Sequence, residues 1–423
     1  MRTLTARWVF PVTGAPIEDG AVAIDGGRIF RVGRPADLAA EISQGERWDL
    51  GEAALLPGLV NCHTHLELGP LPASAPGEAF VPWVVRLIEM RRGMPQSAQA
   101  ITAEAGVLAL IRSGTTCVGE VSSSGQSLAA LLRAGLRGVV YREVLGLDPK
   151  EAETRLAEAW AEVRAMQDAA RGGRLAIGLF PHSPYALSEP LIRACGELVR
   201  RTGLPAAMHV AESPAEVAFL INGAGPIACL LYPAVGCAAP PPRRPARSPA
   251  AYLEGLGVPA WCPLWVHAVH ADETDCRSMA ERGVAVAHCP RSNRRLSEGV
   301  APIPSFLAHG IPVGLGTDSL ASVPCLDLWE EMRAALTAHG SSLAAATILE
   351  MGTLGGARAL GLADRIGSLT PGKQADLIAV AAGHIRRADP VGSLLDGTCG
   401  ADVLLSLIDG TVRYSRSEVV ACA

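Results

Sequence analysis

The sequence predicts an α/β protein whose central part is a (β/α)8 barrel. Apolar, strand-like runs alternate with amphipathic segments through the middle of the chain, a pattern typical of a parallel sheet wound by helices. Short β-rich runs with turn residues lie at both ends. Histidines and carboxylates follow several of the apolar runs, and catalytic residues of such barrels lie at the carboxyl ends of the strands.

Eight strand-like runs predict the barrel, which we place at residues 56–365. One run precedes His63, and the other seven lie at 115–121, 138–144, 176–180, 206–210, 264–269, 284–288 and 313–317. Eight strands close such a barrel. A segment at about 223–249 interrupts the alternation, because it is too proline-rich for a regular element. We interpret it as an insertion at the mouth of the barrel and leave open whether it is inert or a lid.

Composition and charge argue against several kinds of partner. The 423 residues carry a formal net charge of -5 without a basic block, which disfavours nucleic acid. No uninterrupted apolar run reaches membrane length, so we expect no membrane partner. The N-terminal residues lack the apolar core of a signal peptide, and the cytoplasm is therefore the expected compartment. A small molecule is the expected partner, and a homo-oligomer is left open.

His63 and His65 are the first candidate metal ligands. They end an apolar run, and residues two apart in an extended strand point to the same side, so both imidazoles can reach one ion. His209, His270 and Asp318 follow later strand-like runs in the order expected of parallel strands. His-x-His alone is a weak signal, since paired surface histidines are common. Five such residues at predicted strand ends form a strong one.

These motifs resemble the amidohydrolase superfamily, specifically its one-metal branch of purine-nucleoside, guanine and cytosine deaminases and triazine chlorohydrolases. The resemblance covers nearly the whole chain, from Asp-Gly-Ala-Val-Ala-Ile-Asp-Gly-Gly-Arg-Ile near the N-terminus to Gly-Ser-Leu-Thr-Pro-Gly-Lys-Gln-Ala-Asp-Leu-Ile at 367–378. It implies that residues 1–55 and 366–423 together form one small β-sandwich domain built from both termini.

The resemblance also implies a single divalent ion. Two-metal members of the superfamily use a carbamylated lysine at the end of the fourth barrel strand, whereas this chain contains only Lys150 and Lys373, both outside that strand. Zn²⁺ is favoured for a histidine-rich site with one carboxylate, and Fe²⁺ is left open. Asp318 would both contact the metal and take the proton of the attacking water. The implied ligands are His63, His65, His209 and Asp318.

Two further catalytic roles follow from the resemblance. Glu212 is expected to protonate a ring nitrogen next to the carbon under attack. Its structural alternative is a cap at the start of the helix that Ser213-Pro214 predicts. His270 is expected to hold the attacking hydroxide and to orient the leaving amine. His267 lies three residues earlier, would face the opposite way in a regular strand, and is interpreted as a packed histidine.

Candidate substrate contacts come from motifs at other strand ends. His182, in Pro-His-Ser-Pro-Tyr, resembles the residue of nucleoside deaminases that contacts the sugar or substituent side of the substrate. Arg291, in His-Cys-Pro-Arg-Ser-Asn, could receive a substrate carboxylate or be tied to a structural carboxylate, and both interpretations are open. The full set of candidates is His182, Arg291, Arg86, Arg142 and Glu143.

Taken together, the histidine motifs and the motifs around Arg86, Arg142 and Arg291 look most like those of the aminodeoxyfutalosine deaminases of the alternative menaquinone pathway. That resemblance implies metal-dependent hydrolytic deamination of an adenine nucleoside, 6-amino-6-deoxyfutalosine, to futalosine and ammonia. Arg86, Arg142 or Arg291 would contact its carboxylate. The alternatives are S-adenosylhomocysteine, methylthioadenosine, guanine, cytosine or a chlorotriazine as substrate, because only the cavity and leaving group would change. A non-catalytic structural relative is a further alternative, which the intact ligand set disfavours.

Overall fold

The structure, a computed structural model, describes residues 1–69, 77–237 and 244–416. Its strands are β1 (Arg2–Val9), β2 (Ile17–Asp25), β3 (Arg28–Gly33), β4 (Glu46–Asp49), β5 (Ala53–Pro57), β6 (Leu59–Thr64), β7 (Thr115–Ser122), β8 (Arg137–Val144), β9 (Leu175–Pro181), β10 (Ala207–Val210), β11 (Leu264–His267), β12 (Ala285–His288), β13 (Val313–Leu315), β14 (Leu377–Ala381), β15 (Val403–Ile408) and β16 (Thr411–Ser415).

The α-helices are α1 (Ala39–Gln44), α2 (Phe80–Arg92), α3 (Gln96–Arg112), α4 (Gln126–Ala134), α5 (Ala152–Ala170), α6 (Glu189–Thr202), α7 (Pro214–Asn222), α8 (Tyr232–Ala234), α9 (Pro249–Gly255), α10 (Glu273–Glu281), α11 (Pro290–Arg295), α12 (Ile303–Ala308), α13 (Leu328–His339), α14 (Ala345–Glu350), α15 (Gly356–Ala359) and α16 (Pro390–Gly397). Short 3-10 helices lie at Pro35–Leu38, Pro149–Glu151, Val258–Ala260, Gly340–Ser342 and Gly400–Asp402, and π-helical turns at Ile227–Leu231 and Met351–Gly355.

The barrel consists of β6 to β13. Strands β6 to β9 form one parallel sheet and β10 to β13 another. Parallel bridges join the two sheets at both edges, Leu179 with Ala206 and Thr64 with Asp318. The eight strands therefore follow one another in a closed ring, and the predicted (β/α)8 barrel is confirmed.

Alternation along the strands divides the apolar residues between two cores. Val139 belongs to the cluster formed mainly by barrel strands, whereas its neighbour Val140 belongs to the larger cluster that includes the helices. Leu264 and Trp265 divide in the same way. Successive strand side chains point to opposite faces, so the strands bury both faces and read as continuous apolar runs.

Two predicted barrel strands end two residues earlier than expected, and one of them is the run at 313–317, whose strand β13 stops at Leu315. The apolar run at 264–269 predicts six strand residues, but β11 stops at His267. The cause lies in the backbone, since His267 and Ala268 have φ values of 70° and 48°, in the left-handed region. The period-two alternation that sequence reasoning assumed therefore does not continue beyond His267.

Strands from both ends of the chain form a single eight-stranded sheet. It has the order β16-β15-β14-β5-β1-β2-β3, with β4 paired to β1. Buried Arg137, the first residue of β8, donates to Asp376 at 2.7 Å and to Asp409 at 2.6 Å, which ties the barrel to this sheet. The predicted small β domain built from both termini is confirmed, and its boundaries near residues 55 and 366 stay a prediction.

The segment at 223–249 is more regular than its prolines suggested. It contains a π-helical turn, α8 and the start of α9, because Pro233 and Pro249 occupy first-turn positions that a helix accepts. Tyr232 is buried and donates to the carbonyl of Tyr185 at 2.8 Å. Residues 238–243 lie outside the described residues. Within the described ranges no single helix has the length and apolarity to cross a membrane, although α7 with the bent stretch Ile227–Ala234 passes that test as a pair.

Candidate metal centre and active site

Four side chains from three strand ends converge at the mouth of the barrel. Nε2 of His209 lies 3.1 Å from Nε2 of His63 and 3.5 Å from Nε2 of His65. Oδ1 of Asp318 lies 3.7 Å and 3.9 Å from the same two atoms. Ligands about 2.0–2.2 Å from a tetrahedral ion stand roughly 3.3–3.6 Å apart. The donor spacing therefore fits one divalent ion, and the structure brings together the four predicted ligands.

Hydrogen bonds to the side-chain atoms that do not face the metal centre orient two of these candidate ligands. Nδ1 of His209 lies 3.0 Å from the carbonyl of His182, which places its proton on Nδ1 and leaves Nε2 as an acceptor. Oδ2 of Asp318 accepts from Ser292 at 2.6 Å and from Ser322 at 2.9 Å, so Oδ1 faces the imidazoles. Such outer contacts fix ligands before an ion binds.

Burial keeps His65 and His209 neutral. It lowers the pKa of His65 to about 3 and the pKa of His209 well below its ordinary value, with neighbouring imidazoles adding to both shifts. Neutral imidazole is the form that binds a metal ion. The chemistry of the candidate ligands and the distances between them thus both fit one divalent metal ion.

Glu212 lies beside this centre, three residues after His209. Its side chain is buried, and its Oε1 lies 3.2 Å from Nε2 of His267. Burial, followed by the charge of Asp318, raises the pKa of Glu212 well above its ordinary value. The cap of α7 is instead Ser213, whose side chain accepts from the backbone of Glu216. The helix-cap alternative for Glu212 therefore has no support in the structure.

The structure exchanges the expected positions of His267, the last residue of β11, and His270, which follows it. His267 is fully buried, and its ring centroid lies 5.4 Å from that of His209 and 5.9 Å from that of His63. His270 instead lines a surface cleft together with Pro214. The sequence interpretation that His270 faces the site and His267 packs elsewhere is corrected. The left-handed backbone at 267 and 268 is the physical reason.

Two residues near Glu212 were missed by sequence reasoning. Asn293, in the Cys-Pro-Arg-Ser-Asn motif, has its amide 2.8 Å from Nδ1 of His267. Glu298 is buried and groups with Glu212 and His267. The motif around Asn293 was a usable signal, whereas no pattern surrounds Glu298.

A cavity of about 1070 Å³ lies beside this centre, and none of the four candidate ligands lines it. Its wall includes three predicted substrate contacts, Arg142, Glu143 and His182. Nδ1 of His182 lies 2.7 Å from Oε1 of Glu143, and the ring centroids of His182 and His209 are 4.7 Å apart. Arg142 also pairs with Glu162. His182 therefore lies between the cavity and the metal centre.

The other two predicted arginines lie elsewhere. Arg291 is buried, donates to the carbonyl of Cys325 at 3.2 Å, and has Nη1 3.5 Å from Oε1 of buried Glu331. Arg86 pairs with Glu78 at 2.6 Å. Neither lines the cavity. Of the two interpretations left open for Arg291, the geometry supports a tie to a structural carboxylate.

Arg91, which sequence reasoning overlooked, lines the cavity near the end of α2. Burial raises the pKa of Glu143, but the hydrogen bond and charge of His182, followed by the charges of His65 and Arg91, hold it below its ordinary value. Within the described part of the chain, the Arg91 side chain forms no ion pair or hydrogen bond. The other arginines of the wall are paired: Arg92 with the carbonyl of Ala234, Arg142 with Glu162, and Arg155 with Glu151.

The chain is similar to known proteins along almost its full length. The sequence profile of the amidohydrolase family matches residues 54–412. The 5-methylthioadenosine/S-adenosylhomocysteine deaminase of Nitratidesulfovibrio vulgaris is 31% identical over 410 residues, covering 94% of this chain and 88% of that protein.

Two solved structures share the fold. An adenosine deaminase from Xanthomonas campestris with bound zinc has a TM-score of 0.83 at 27% identity and covers 99% of this chain and 96% of that one. The aminofutalosine deaminase of Helicobacter pylori, in complex with methylthio-coformycin, has a TM-score of 0.85 at 22% identity and covers 97% and 100%. At that identity the second likeness concerns the fold alone.

Proposed function

Because this chain belongs to the amidohydrolase family and is a hydrolase acting on C–N bonds, we propose that it deaminates an adenine nucleoside by hydrolysis. The observation that carries the proposal is the convergence of three imidazoles and Asp318 beside the buried carboxyl of Glu212. The names of the similar proteins support a nucleoside substrate, since one is a methylthioadenosine/S-adenosylhomocysteine deaminase and another an adenosine deaminase.

We further propose that one divalent ion, with Zn²⁺ favoured over Fe²⁺, is held by His63, His65, His209 and Asp318. A bound ion of this kind supplies an activated water for attack on the carbon that carries the amine. Three imidazoles and one carboxylate suit Zn²⁺, although ferrous iron accepts the same ligand types. The zinc in the similar adenosine deaminase structure also supports this choice.

The side chains of the chain would move the protons. Asp318 accepts the proton of the attacking water, and two serine hydroxyls that donate to its Oδ2 hold the carboxylate in place. Glu212 donates to the ring nitrogen next to the attacked carbon, and its raised pKa keeps that proton available near neutral pH. His267, 3.2 Å from Glu212, orients the leaving amine. Asp318 then passes its proton to the amine, which leaves as ammonia, and the hydroxyl proton returns to Glu212 as the ring carbon becomes a carbonyl. One water is consumed, and both carboxyl groups end as they began.

The finer proposal is a substrate with an anionic group, with 6-amino-6-deoxyfutalosine of menaquinone biosynthesis as the leading candidate. The support is Arg91, which lines the cavity of about 1070 Å³ and whose guanidinium has no hydrogen-bond or ion-pair partner among residues 1–69, 77–237 and 244–416. A guanidinium receives a carboxylate in bidentate fashion. S-adenosylhomocysteine is the second candidate because it carries a carboxylate too. Methylthioadenosine, which lacks one, makes no use of Arg91.

The test is ammonia release from a panel of 6-amino-6-deoxyfutalosine, S-adenosylhomocysteine, methylthioadenosine, adenosine, guanine, cytosine and a triazine. We expect turnover of the adenine nucleosides and the highest kcat/KM for a carboxylate-bearing one. Glu212→Gln serves as the matched variant, because it keeps size but cannot deliver a carboxylic proton. Its kcat should fall on the order of a hundred- to ten-thousand-fold with metal content unchanged. Turnover of guanine, cytosine or triazine alone would contradict the proposal.

A further inference from the structure

Glu298, three residues after α11, is a buried carboxyl in contact with a second carboxyl. One carboxyl oxygen of Glu298 lies within 4.8 Å of one of Glu212, and a ring nitrogen of His267 lies within the same distance of both. Within the described residues, Oε1 of Glu298 has no hydrogen-bond partner. Two ionised carboxylates repel each other at such a distance, so the contact requires a proton between them.

Asn293 connects this pair to His267 and closes a ring of four side chains. In the amide orientation that satisfies its neighbours, its nitrogen lies 2.8 Å from Nδ1 of His267 and 3.2 Å from Oε2 of Glu298. Donation to Nδ1 leaves the imidazole proton on Nε2, which lies 3.2 Å from Oε1 of Glu212. All four side chains are buried. Glu212 therefore lies next to both His267 and Glu298, and Asn293 links those two side chains.

The two carboxyls differ in how they hold a proton. Burial raises the pKa of both, and the negative charges of Asp318 on Glu212 and of Glu212 on Glu298 add to it. The hydrogen bond between them then raises the pKa of Glu298 and lowers that of Glu212. Glu216, the other carboxyl near Glu212, accepts the backbone N–H groups of Ala211 and Glu212. Oε1 of Glu212 also lies 3.2 Å from Nε2 of His267, whereas Oε1 of Glu298 has no partner within the described residues and is free to carry the proton. Glu298 is therefore the partner that keeps its proton when Glu212 ionises.

We propose that Glu298 is a positioning residue that stays neutral and donates a hydrogen bond to Glu212 throughout turnover. The proposal rests on the proposed function, because Glu298 acts only through the proton that Glu212 delivers. When Glu212 gives its proton to the substrate ring, a negative charge is left in a buried place near Asp318. The hydrogen bond from Glu298 stabilises that charge, and Glu298 itself neither gains nor loses a proton.

Two substitutions separate this role from a packing role. Glu298→Gln keeps a neutral donor of the same size, whereas Glu298→Met keeps the bulk and removes the donor. We expect the glutamine variant to retain kcat and the pH profile within a few-fold. The methionine variant should lose about ten- to a hundredfold in kcat with KM nearly unchanged, since Glu298 does not touch substrate. The alkaline limb of the pH–rate profile of this variant should move up by about one pH unit. The charged form of Glu212 loses a hydrogen-bond donor, so the pKa of Glu212 rises.

Three outcomes would overturn the proposal. A methionine variant with wild-type kcat and pH profile would show that the contact between Glu298 and Glu212 does not contribute to turnover. A glutamine variant as impaired as the methionine variant would mean that Glu298 must ionise. A fall in melting temperature with an unmoved alkaline limb would indicate packing alone.

A spectroscopic readout keeps the test independent of the substrate. The infrared carbonyl band of a protonated carboxylic acid should persist at alkaline pH in wild type and be lost in Glu298→Gln. If no nucleoside of the panel yields ammonia, the proposed function fails while this band still reports on Glu298. Absence of the band in wild type would overturn the neutral state of Glu298.

Discussion

Nε2 of His267 lies 3.2 Å from Oε1 of Glu212, and both side chains are buried beside the three-histidine centre. Burial lowers the pKa of His267 to about 4, so the imidazole is neutral near physiological pH. Its Nδ1 faces Asn293 at 2.8 Å. A neutral imidazole whose Nδ1 is hydrogen-bonded can present its Nε2 to a substrate in one defined state.

The first prediction compares His267 with His270. His267→Gln should lower kcat about a hundredfold or more, because the substitution removes the imidazole next to Glu212. His270→Gln, at the surface cleft, should leave kcat and KM within a few-fold of wild type. Steady-state ammonia release with one nucleoside measures both. The reverse ranking would restore the assignment made from the sequence.

The difference between these histidines shows what the sequence could and could not predict. His63, His65, His209 and Asp318 follow strands whose apolar runs are visible, and parallel strands bring their ends together. The left-handed φ of His267 and Ala268 is set by tertiary packing and leaves no composition signal. Arg291 was ambiguous for a related reason, since its partner Glu331 lies on α13, far along the chain.

The second prediction concerns the metal. Purified protein should contain one tightly bound divalent ion per chain, because four donors converge at one point. Removing the ion with a chelator should abolish turnover and lower the melting temperature, since a ligand that binds only the folded state stabilises it. His65→Ala should lose the ion, whereas His384→Ala, whose ring contacts Thr398, should keep it. Elemental analysis that finds two ions, both required for activity, would contradict the single site.

The third prediction is a pH dependence of stability centred on His288. Burial, followed by nearby His339 and His267, lowers its pKa to about 3, and neither of its ring nitrogens has a partner within the described residues. An unfolded histidine titrates near 6.5, so between about pH 6.5 and pH 3 the unfolded state binds the extra proton. Stability should therefore fall as pH falls through this window, by roughly 1.4 kcal/mol per pH unit for this group.

Denaturant unfolding of metal-free protein across this pH range measures the slope. His288→Gln removes the titrating group, so its stability should depend less steeply on pH by about one proton, whatever its absolute stability. His309→Gln is the matched control, because His309 lies near the surface and pairs with Glu273. Equal slopes for wild type and His288→Gln would show that His288 is protonated in the folded state.

The last prediction separates Arg91 from Arg291. Arg91→Met should raise KM for a carboxylate-bearing nucleoside by about ten- to a hundredfold, the effect of losing one charge-assisted contact. Methylthioadenosine, without a carboxylate, should be unaffected. Arg92→Met is the matched control, since Arg92 shares the cavity wall but donates to the carbonyl of Ala234.

Arg291→Met should behave differently from both, because Arg291 is a partner of Glu331 rather than part of the cavity wall. Removing the guanidinium leaves a buried carboxyl without its cation, which costs about 3 kcal/mol or more if the carboxyl stays charged and less if it takes up a proton. A lower melting temperature with unchanged ratios of kcat/KM between substrates is therefore expected. If Arg91→Met weakens both nucleosides equally while Arg291→Met changes their ratio, the anion contact lies at Arg291 and the assignment to Arg91 is wrong.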